Sequence, residues 1–184
     1  MPITTLDSHT ALIVVDLQQG IASRVPEQPF AQLLERNRAL LAAFRARALP
    51  VVLVNVADVA PGRTEQPRPS SAPPAGWDAL LPELGRQASD ILITKRTWGA
   101  FVRTGLEERL KALGVTQVVV TGVATSIGVE STARQAYEAG FNVTLAIDAM
   151  ADLNPEAHAR SIGLIFPRLG ETGTAQEIID RLGA

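Results

Sequence analysis

The chain of 184 residues contains no cysteine, and this absence excludes several kinds of chemistry. It can form no disulfide, offer no thiolate to a metal ion and use no cysteine nucleophile. The only two histidines, His9 and His158, are far apart in the sequence, so we expect no typical zinc site. The phosphate-binding pattern G-x-x-x-x-G-K-[ST] is missing, as is G-x-G-x-x-G after the first predicted strand. The sequence therefore predicts a protein with no cofactor and no metal.

Strong charge of one sign and long hydrophobic runs are also lacking. The net charge is −2 with no basic run, so binding to nucleic acid or to a membrane surface has no electrostatic support. No apolar stretch approaches the roughly 20 residues that span a bilayer, and the first ten residues lack the features of a signal peptide. With 46% hydrophobic residues, we expect a single cytoplasmic domain over residues 1–184 with a sizeable core.

The apolar residues that are present alternate between short runs and longer stretches with helical spacing. The short runs predict strands at residues 11–16, 50–58, 91–95, 117–122 and 141–148. The helical stretches are residues 28–48, 105–114, 126–140, 155–168 and 174–182. Strands this apolar are buried on both faces, as in a parallel sheet between helices. The pattern predicts a three-layer α/β/α sandwich with a doubly wound, Rossmann-like, mainly parallel sheet of about five or six strands.

One segment interrupts this alternation. Residues 59–89 hold six of the twelve prolines and no clear periodic element. A loop of this length in a compact domain is usually functional or mobile. It follows the second predicted strand, so it could fold over the carboxyl edge of the sheet as a lid, or it could be a surface excursion or a subunit contact. Arg63 and Arg68 within it are either ligands for a substrate carboxylate or solvated surface charges.

Two charged residues stand where a doubly wound sheet binds its ligands, beyond the carboxyl ends of the strands. Asp16 ends the first predicted strand, and Lys95 ends the third. Burying either residue is costly unless the two meet each other or a ligand. A structural ion pair would satisfy both, but their shared place at this edge favours a functional site.

The bend after the fourth strand, "ATSIG", is close to the G-x-S-x-G turn that carries a nucleophilic serine, with Ala124 in place of the first glycine. The order Ser126, Asp148, His158 would match a serine hydrolase. His158, however, falls inside a predicted helix, whereas a triad histidine usually lies on a loop that reaches the serine. Ser126 is also a suitable N-cap for the helix that Gly140 ends. Serine hydrolysis is therefore the less favoured alternative.

Three segments taken together resemble the isochorismatase-like hydrolase superfamily: "ALIVVDLQQG", "ILITKRTWGAF" and "VVVTGVATSIGVESTARQAYEAGFNVTLAIDAMAD". Their order and spacing cover nearly the whole chain, and the family fold is a parallel α/β/α sandwich. Most members carry an Asp–Lys–Cys triad. The resemblance implies that Asp16 is the acid or base, that Lys95 is the lysine and that Gly128 stands at the cysteine position.

The glycine is the departure that matters most. Without a thiol, the thioester intermediate of the amidase branch cannot form, and the metal-binding D-x-H pattern of that branch is replaced by "NVADVAPG". The isochorismatases proper resemble this chain in having glycine at that position. The resemblance then implies hydrolysis of a vinyl ether such as isochorismate, in which Asp16 protonates the methylene carbon and pyruvate is released with a dihydrodiol. A family member that binds a small molecule without turnover, and more weakly a non-enzymatic scaffold, are the alternatives.

Carbon protonation requires a carboxylic acid that is neutral, so the pKa of Asp16 should be raised. Burial would raise it and a nearby Lys95 ammonium would lower it, and the sequence leaves that balance open. Gly128 could let a substrate carboxylate approach the backbone of the first helical turn, or it could merely be tolerated there. The resemblance also implies a cis peptide between Val123 and Ala124 and a homodimer or larger homo-oligomer. The predicted substrate-binding residues are Gln18, Trp98, Ala124, Thr125, Ser126 and Arg68.

Overall fold

The computed structural model describes residues 3–25, 27–58, 62–66 and 73–183. The strands are β1 (Thr10–Val15), β2 (Val51–Val56), β3 (Ile91–Lys95), β4 (Gln117–Val123), β5 (Asn142–Ala151) and β6 (Glu171–Gly173). The α-helices are α1 (Gln19–Ala22), α2 (Glu27–Ala46), α3 (Leu106–Ala112), α4 (Glu130–Glu138), α5 (Pro155–Arg160), α6 (Phe166–Leu169) and α7 (Ala175–Leu182). The strands form one parallel sheet in the order β3-β2-β1-β4-β5-β6.

Both faces of the sheet are covered by helices, which explains why the strands are so apolar. Every residue of β1 is buried, because its side chains point alternately into two separate cores. One core includes Phe166 of α6, and the other includes Phe44 of α2 and Ile178 of α7. The three-layer, doubly wound architecture predicted from the sequence is confirmed.

The direction of winding reverses at β1, which pairs with β2 on one side and with β4 on the other. In doubly wound sheets the crevice at this reversal is where ligands bind. Gly122 near the end of β4 has a φ of +116°, and a β-carbon there would overlap the carbonyl oxygen of Val15. Glycine is therefore needed at position 122, and it brings the ends of β1 and β4 close together.

The chain leaves β4 through a cis peptide and a π-helical turn, of which only the cis peptide was predicted. The peptide between Val123 and Ala124 is cis, as the family resemblance implied. Residues Thr125–Val129 then form a π-helical turn before α4 begins. The N-cap of that turn is Ala124, so the prediction that Ser126 is the N-cap is wrong. Gly140, with a φ of +87°, follows the end of α4 as predicted.

Several element boundaries also differ from the prediction. β5 continues to Ala151, three residues beyond its predicted end, and the stretch 155–168 is divided by a second π-helical turn at Ser161–Ile165. β6 was not predicted as a strand because three residues are too few to show a periodicity. Among the residues that the structure describes, no helix is long and apolar enough to cross a bilayer.

The described part of the proline-rich segment lies along the chain that follows β1. The amide of Gly20 donates to the carbonyl of Trp77, the amide of Gln19 donates to that of Ala79, and the amide of Leu81 donates to that of Leu17. Trp77 packs so closely on Gly20 that a β-carbon at position 20 would overlap the indole. Residues 73–81, here called the Trp77 strap, are thus fixed beside the carboxyl end of β1. A role for the segment as a lid or as an interface stays a prediction.

Candidate active site

Asp16 and Lys95 meet at the carboxyl edge of the sheet. Asp16 directly follows β1 with a φ of +52°, and Lys95 is the last residue of β3. The lysine reaches past the end of the intervening β2, and its Nζ donates to Asp16 Oδ2 at 2.7 Å and to the Thr97 carbonyl at 3.2 Å. Asp16 is 5% exposed and Lys95 2% exposed. The ion pair is therefore buried at the point where the sheet topology predicts a ligand site.

The pKa of Asp16 shows which of the two opposing effects is stronger. Burial raises the pKa from 3.8 to about 6, although the charge of Lys95 and its hydrogen bond act to lower it. Lys95 binds only Oδ2, while the buried Oδ1 has no hydrogen-bond partner among the described residues. Asp16 can thus be protonated at a higher pH than an ordinary aspartate, and Oδ1 is the oxygen that Lys95 does not contact.

Gly128, the third predicted catalytic position, lies against the same carboxylate. A β-carbon at position 128 would be 3.1 Å from Asp16 Oδ2, 3.1 Å from Val15 Cγ1 and 3.4 Å from the Val123 carbonyl oxygen. The structure therefore brings Asp16, Lys95 and Gly128 together. The lack of a side chain at Gly128 is what allows the Asp16 carboxylate to approach the π-helical turn.

Thr125 and Ser126 occupy the first positions of that turn. The hydroxyl of Thr125 lies 2.9 Å from His158 Nδ1, and Thr125 is fully buried. The amide and the hydroxyl of Ser126 both donate to Asp152 Oδ2, at 2.6 and 2.7 Å. The amide of Ser126 already has an anionic partner, so this end of the turn is not free to receive a substrate carboxylate.

The structure does not bring Ser126, Asp148 and His158 together as a triad. Asp148 accepts from the amide of Ala175 at 2.7 Å and pairs with Arg36, whose Nε lies 3.2 Å from Asp148 Oδ2. Ser126 donates to Asp152 and not to His158. Asp148 lies inside β5, so its side chain serves that strand's packing with α2 and α7 instead of the turn.

His158 and Asp152 contact the turn that carries Gly128, a role that the sequence analysis did not assign to them. His158 was predicted to fall inside a helix, yet its Nδ1 lies 2.9 Å from the Thr125 hydroxyl, and burial lowers its pKa. Asp152 directly follows β5. Its contact with Ser126 could not be predicted from the sequence, because that contact depends on where β5 ends. Both contacts support the backbone of the turn that carries Gly128.

Gln18, Trp98 and Arg68 were also predicted to bind substrate. Gln18 is fully buried, and its amide bonds only backbone groups: it accepts from the amide of Val56 at 2.8 Å and donates to the carbonyls of Val56 and Trp77. Those bonds hold β2 and the Trp77 strap beside β1. Trp98 is 60% exposed. Arg68 lies outside the described residues, and Arg63 is on the surface. Substrate contact by these residues stays a prediction.

Within residues 3–25, 27–58, 62–66 and 73–183, no group of three or more histidine, aspartate or glutamate residues is arranged to hold a metal ion.

Comparison with known proteins agrees with this geometry. A family model for the isochorismatase domain matches residues 10–177. The chain is 40% identical over 186 residues to the isochorismatase family protein YecD of Escherichia coli O157:H7, with 94% of this chain and 96% of that protein covered. It is 31% identical over 185 residues to the ureidoacrylate amidohydrolase RutB of Stutzerimonas stutzeri, with 84% and 75% covered.

A solved structure shows the same relationship in three dimensions. An isochorismatase family protein from Burkholderia thailandensis superposes with a TM-score of 0.91 at 37% identity, and 98% of each chain is covered. The family that the three sequence segments resemble is confirmed by these matches. The chain therefore belongs to the isochorismatase family of hydrolases.

Proposed function

We propose that the protein hydrolyses a small anionic vinyl ether such as isochorismate, with Asp16 as the general acid and with no covalent enzyme intermediate. The observation that carries the proposal is the buried carboxyl group of Asp16, whose pKa is raised to about 6. A carboxylic acid with a pKa near the working pH is a competent proton donor. The chain also has no cysteine that could form a thioester.

The first chemical step places the proton on carbon. Asp16 donates its proton to the methylene carbon of the enol ether, and the adjoining ether carbon becomes an oxocarbenium ion. Oδ1 is the oxygen suited to this transfer, because it is the one without a hydrogen-bond partner among the described residues. It is buried, so bulk water does not compete for the proton.

Lys95 supports the state that follows. Once the proton has left, Asp16 is a carboxylate, and the ammonium 2.7 Å from Oδ2 stabilises that negative charge. Water then adds to the oxocarbenium carbon and gives up a proton to the Asp16 carboxylate, which regenerates the acid, and the resulting hemiketal collapses to pyruvate and a dihydrodiol. Lys95 thus stabilises the deprotonated aspartate, while burial raises the pKa of Asp16 to about 6, so that the protonated form is well populated at that pH.

The carboxylate of the substrate needs a cationic or amide partner. The π-helical turn that carries Gly128 leaves little room for such a contact, since Asp152 already binds the amide of Ser126. We therefore assign this role to the arginines of residues 59–89, Arg63 and Arg68, with Trp98 as a wall of the site.

Assembly as a homodimer or larger homo-oligomer and a cytoplasmic location accompany the proposal and are testable by light scattering and by cell fractionation.

The test is pyruvate release from isochorismate at pH 6, measured for the natural protein, Asp16→Asn and Ser126→Ala. The proposal predicts that the natural protein and Ser126→Ala release pyruvate. In Asp16→Asn the rate of release should fall by at least about a hundredfold, because general acid catalysis contributes about that much to the rate. Equal rates for the natural protein and Asp16→Asn would overturn it. If isochorismate is not cleaved but raises the melting temperature, the site binds this chemistry without turnover.

A further inference from the structure

The two halves of the site come from strands that are not neighbours. Lys95 ends β3, and the turn with Gly128 follows β4, so β2 and β1 lie between them in the sheet. We call residues 96–101 the Lys95 loop and residues Thr125–Val129 the Gly128 turn. Hydrogen bonds along the sheet do not directly fix the distance between these two segments, and another contact has to do so.

Thr132 in α4 makes one end of such a contact. Its side chain is fully buried, and its hydroxyl donates to the carbonyl of Gly128 at 2.7 Å. A threonine hydroxyl can bond the carbonyl four residues earlier in a helix and thereby fix the local backbone. The peptide held here belongs to the glycine whose α-carbon lies against Asp16.

The hydroxyl of Thr132 also contacts the Lys95 loop. The amide of Ala100 donates to Thr132 Oγ1 at 3.1 Å. One turn later on the same face of α4, Gln135 Oε1 accepts from the amide of Phe101 at 3.0 Å. Gly99 lies directly under that side chain, since a β-carbon at position 99 would overlap the Gln135 amide. The far end of the Lys95 loop is thus attached to α4 at two adjacent amides.

The near end of the loop is attached to Lys95 itself. Lys95 Nζ donates to the carbonyl of Thr97 at 3.2 Å, and the Thr97 hydroxyl donates to the carbonyl of Gly99 at 3.1 Å. A continuous set of hydrogen bonds therefore runs from the Lys95 ammonium through the Lys95 loop to Thr132, and from Thr132 to the Gly128 turn.

We propose that Thr132, supported by Gln135, is a positioning residue that couples the Lys95 loop to the Gly128 turn and so sets the contact between Lys95 and Asp16. Its importance for turnover rests on the proposed function of Asp16. Loss of the hydroxyl would remove its bond to the carbonyl of Gly128 and the acceptor of the buried amide of Ala100. A buried amide without an acceptor is costly, and the Lys95 loop would shift to find a new one.

The experiment compares Thr132→Val, which keeps the shape and loses the hydroxyl, with Thr132→Ser, which keeps the hydroxyl. The first readout is the pKa of Asp16. It is measured by an NMR titration of the 13C-labelled aspartate carboxyl groups, and the Asp16 signal is identified by its absence in Asp16→Asn. It needs no substrate, so it remains informative if isochorismate is not cleaved. In Thr132→Val the lysine withdraws, and the pKa of Asp16 rises by roughly one unit. In Thr132→Ser it stays at the natural value.

The second readout is catalysis. Thr132→Val lowers kcat by about tenfold with KM little changed, because misplacement of a catalytic group acts on the chemical step, and Thr132→Ser restores kcat. A Thr132→Val chain with a lower melting temperature but a natural Asp16 pKa would overturn the proposal, since its role would then be structural only. If Thr132→Val does not fold, Gln135→Met removes the adjoining bond from a partly buried position, and an unchanged Asp16 pKa there overturns the proposal equally.

Discussion

Lys95 Nζ lies 2.7 Å from Asp16 Oδ2, and both side chains are almost completely buried. An ammonium this close usually holds a carboxyl group in its ionised form. Here burial has the larger effect, and the pKa of Asp16 is raised to about 6. The pair therefore combines a proton donor with a cation that can stabilise the donor after it has lost its proton.

Replacing Lys95 should raise the pKa of Asp16 further. In Lys95→Met the charge and the hydrogen bond that lower the pKa of Asp16 are gone, so that pKa should rise above about 6. The measurement is the NMR titration of the aspartate carboxyls. Lys111→Met is a matched control, because Lys111 is the only other lysine and forms an exposed pair with Glu107. A pKa of Asp16 that falls in Lys95→Met would contradict the assignment.

Gly128→Ala tests how closely Asp16 packs on the turn. The added methyl group would lie 3.1 Å from Asp16 Oδ2 and from Val15 Cγ1, so we expect it to destabilise the fold by about 1–3 kcal/mol. Gly163→Ala is the control, since a β-carbon there meets nothing within 4 Å. Urea unfolding measures both. A Gly128→Ala chain as stable as Gly163→Ala would show that the site has more room than the structure indicates.

Gly20→Ala should displace the Trp77 strap. A β-carbon at position 20 overlaps the indole of Trp77, so the side chain must move and the strap bonds beside it weaken. Limited proteolysis and tryptophan fluorescence would report the release. Trp77→Ala in the same chain relieves the overlap, and the double variant should be more stable than the sum of the two single changes predicts. Strict additivity would contradict this packing.

His158 should make stability depend on pH. Burial lowers its pKa below 6.5 in the folded chain, so on acidification the unfolded chain takes up this proton first and the folded state loses stability. We expect the melting temperature of the natural protein, relative to His158→Gln, to fall as the pH is lowered from about 7.5 to about 5.5. Asp16 titrates in both chains, and its contribution cancels. A difference that does not change with pH would contradict the lowered pKa.

The fold and the central ion pair could be predicted because their signals are local. Continuous apolar runs mark the strands, and a doubly wound sheet brings the ends of its strands to one edge. Asp16 and Lys95 stand at two such ends, so their meeting follows from the topology. Gly128 was predicted as the third site residue only because the family resemblance places it at the cysteine position of the triad.

The remaining features depend on contacts that the sequence does not encode locally. The order of Ser126, Asp148 and His158 suggested a triad, but β5 runs three residues further than its apolar run indicates. Asp148 therefore lies inside the strand and binds Arg36, and Asp152 takes the position beside Ser126. The pKa of Asp16 likewise depends on the degree of burial, which only the packed structure gives.

The most direct test of the account is the pH dependence of kcat/KM for pyruvate release from isochorismate. If Asp16 must be protonated, kcat/KM falls about tenfold for each pH unit above a midpoint near the pKa of about 6, and Asp16→Asn loses the activity at every pH. A rate that rises through this range, or one that survives in Asp16→Asn, would contradict general acid catalysis by Asp16.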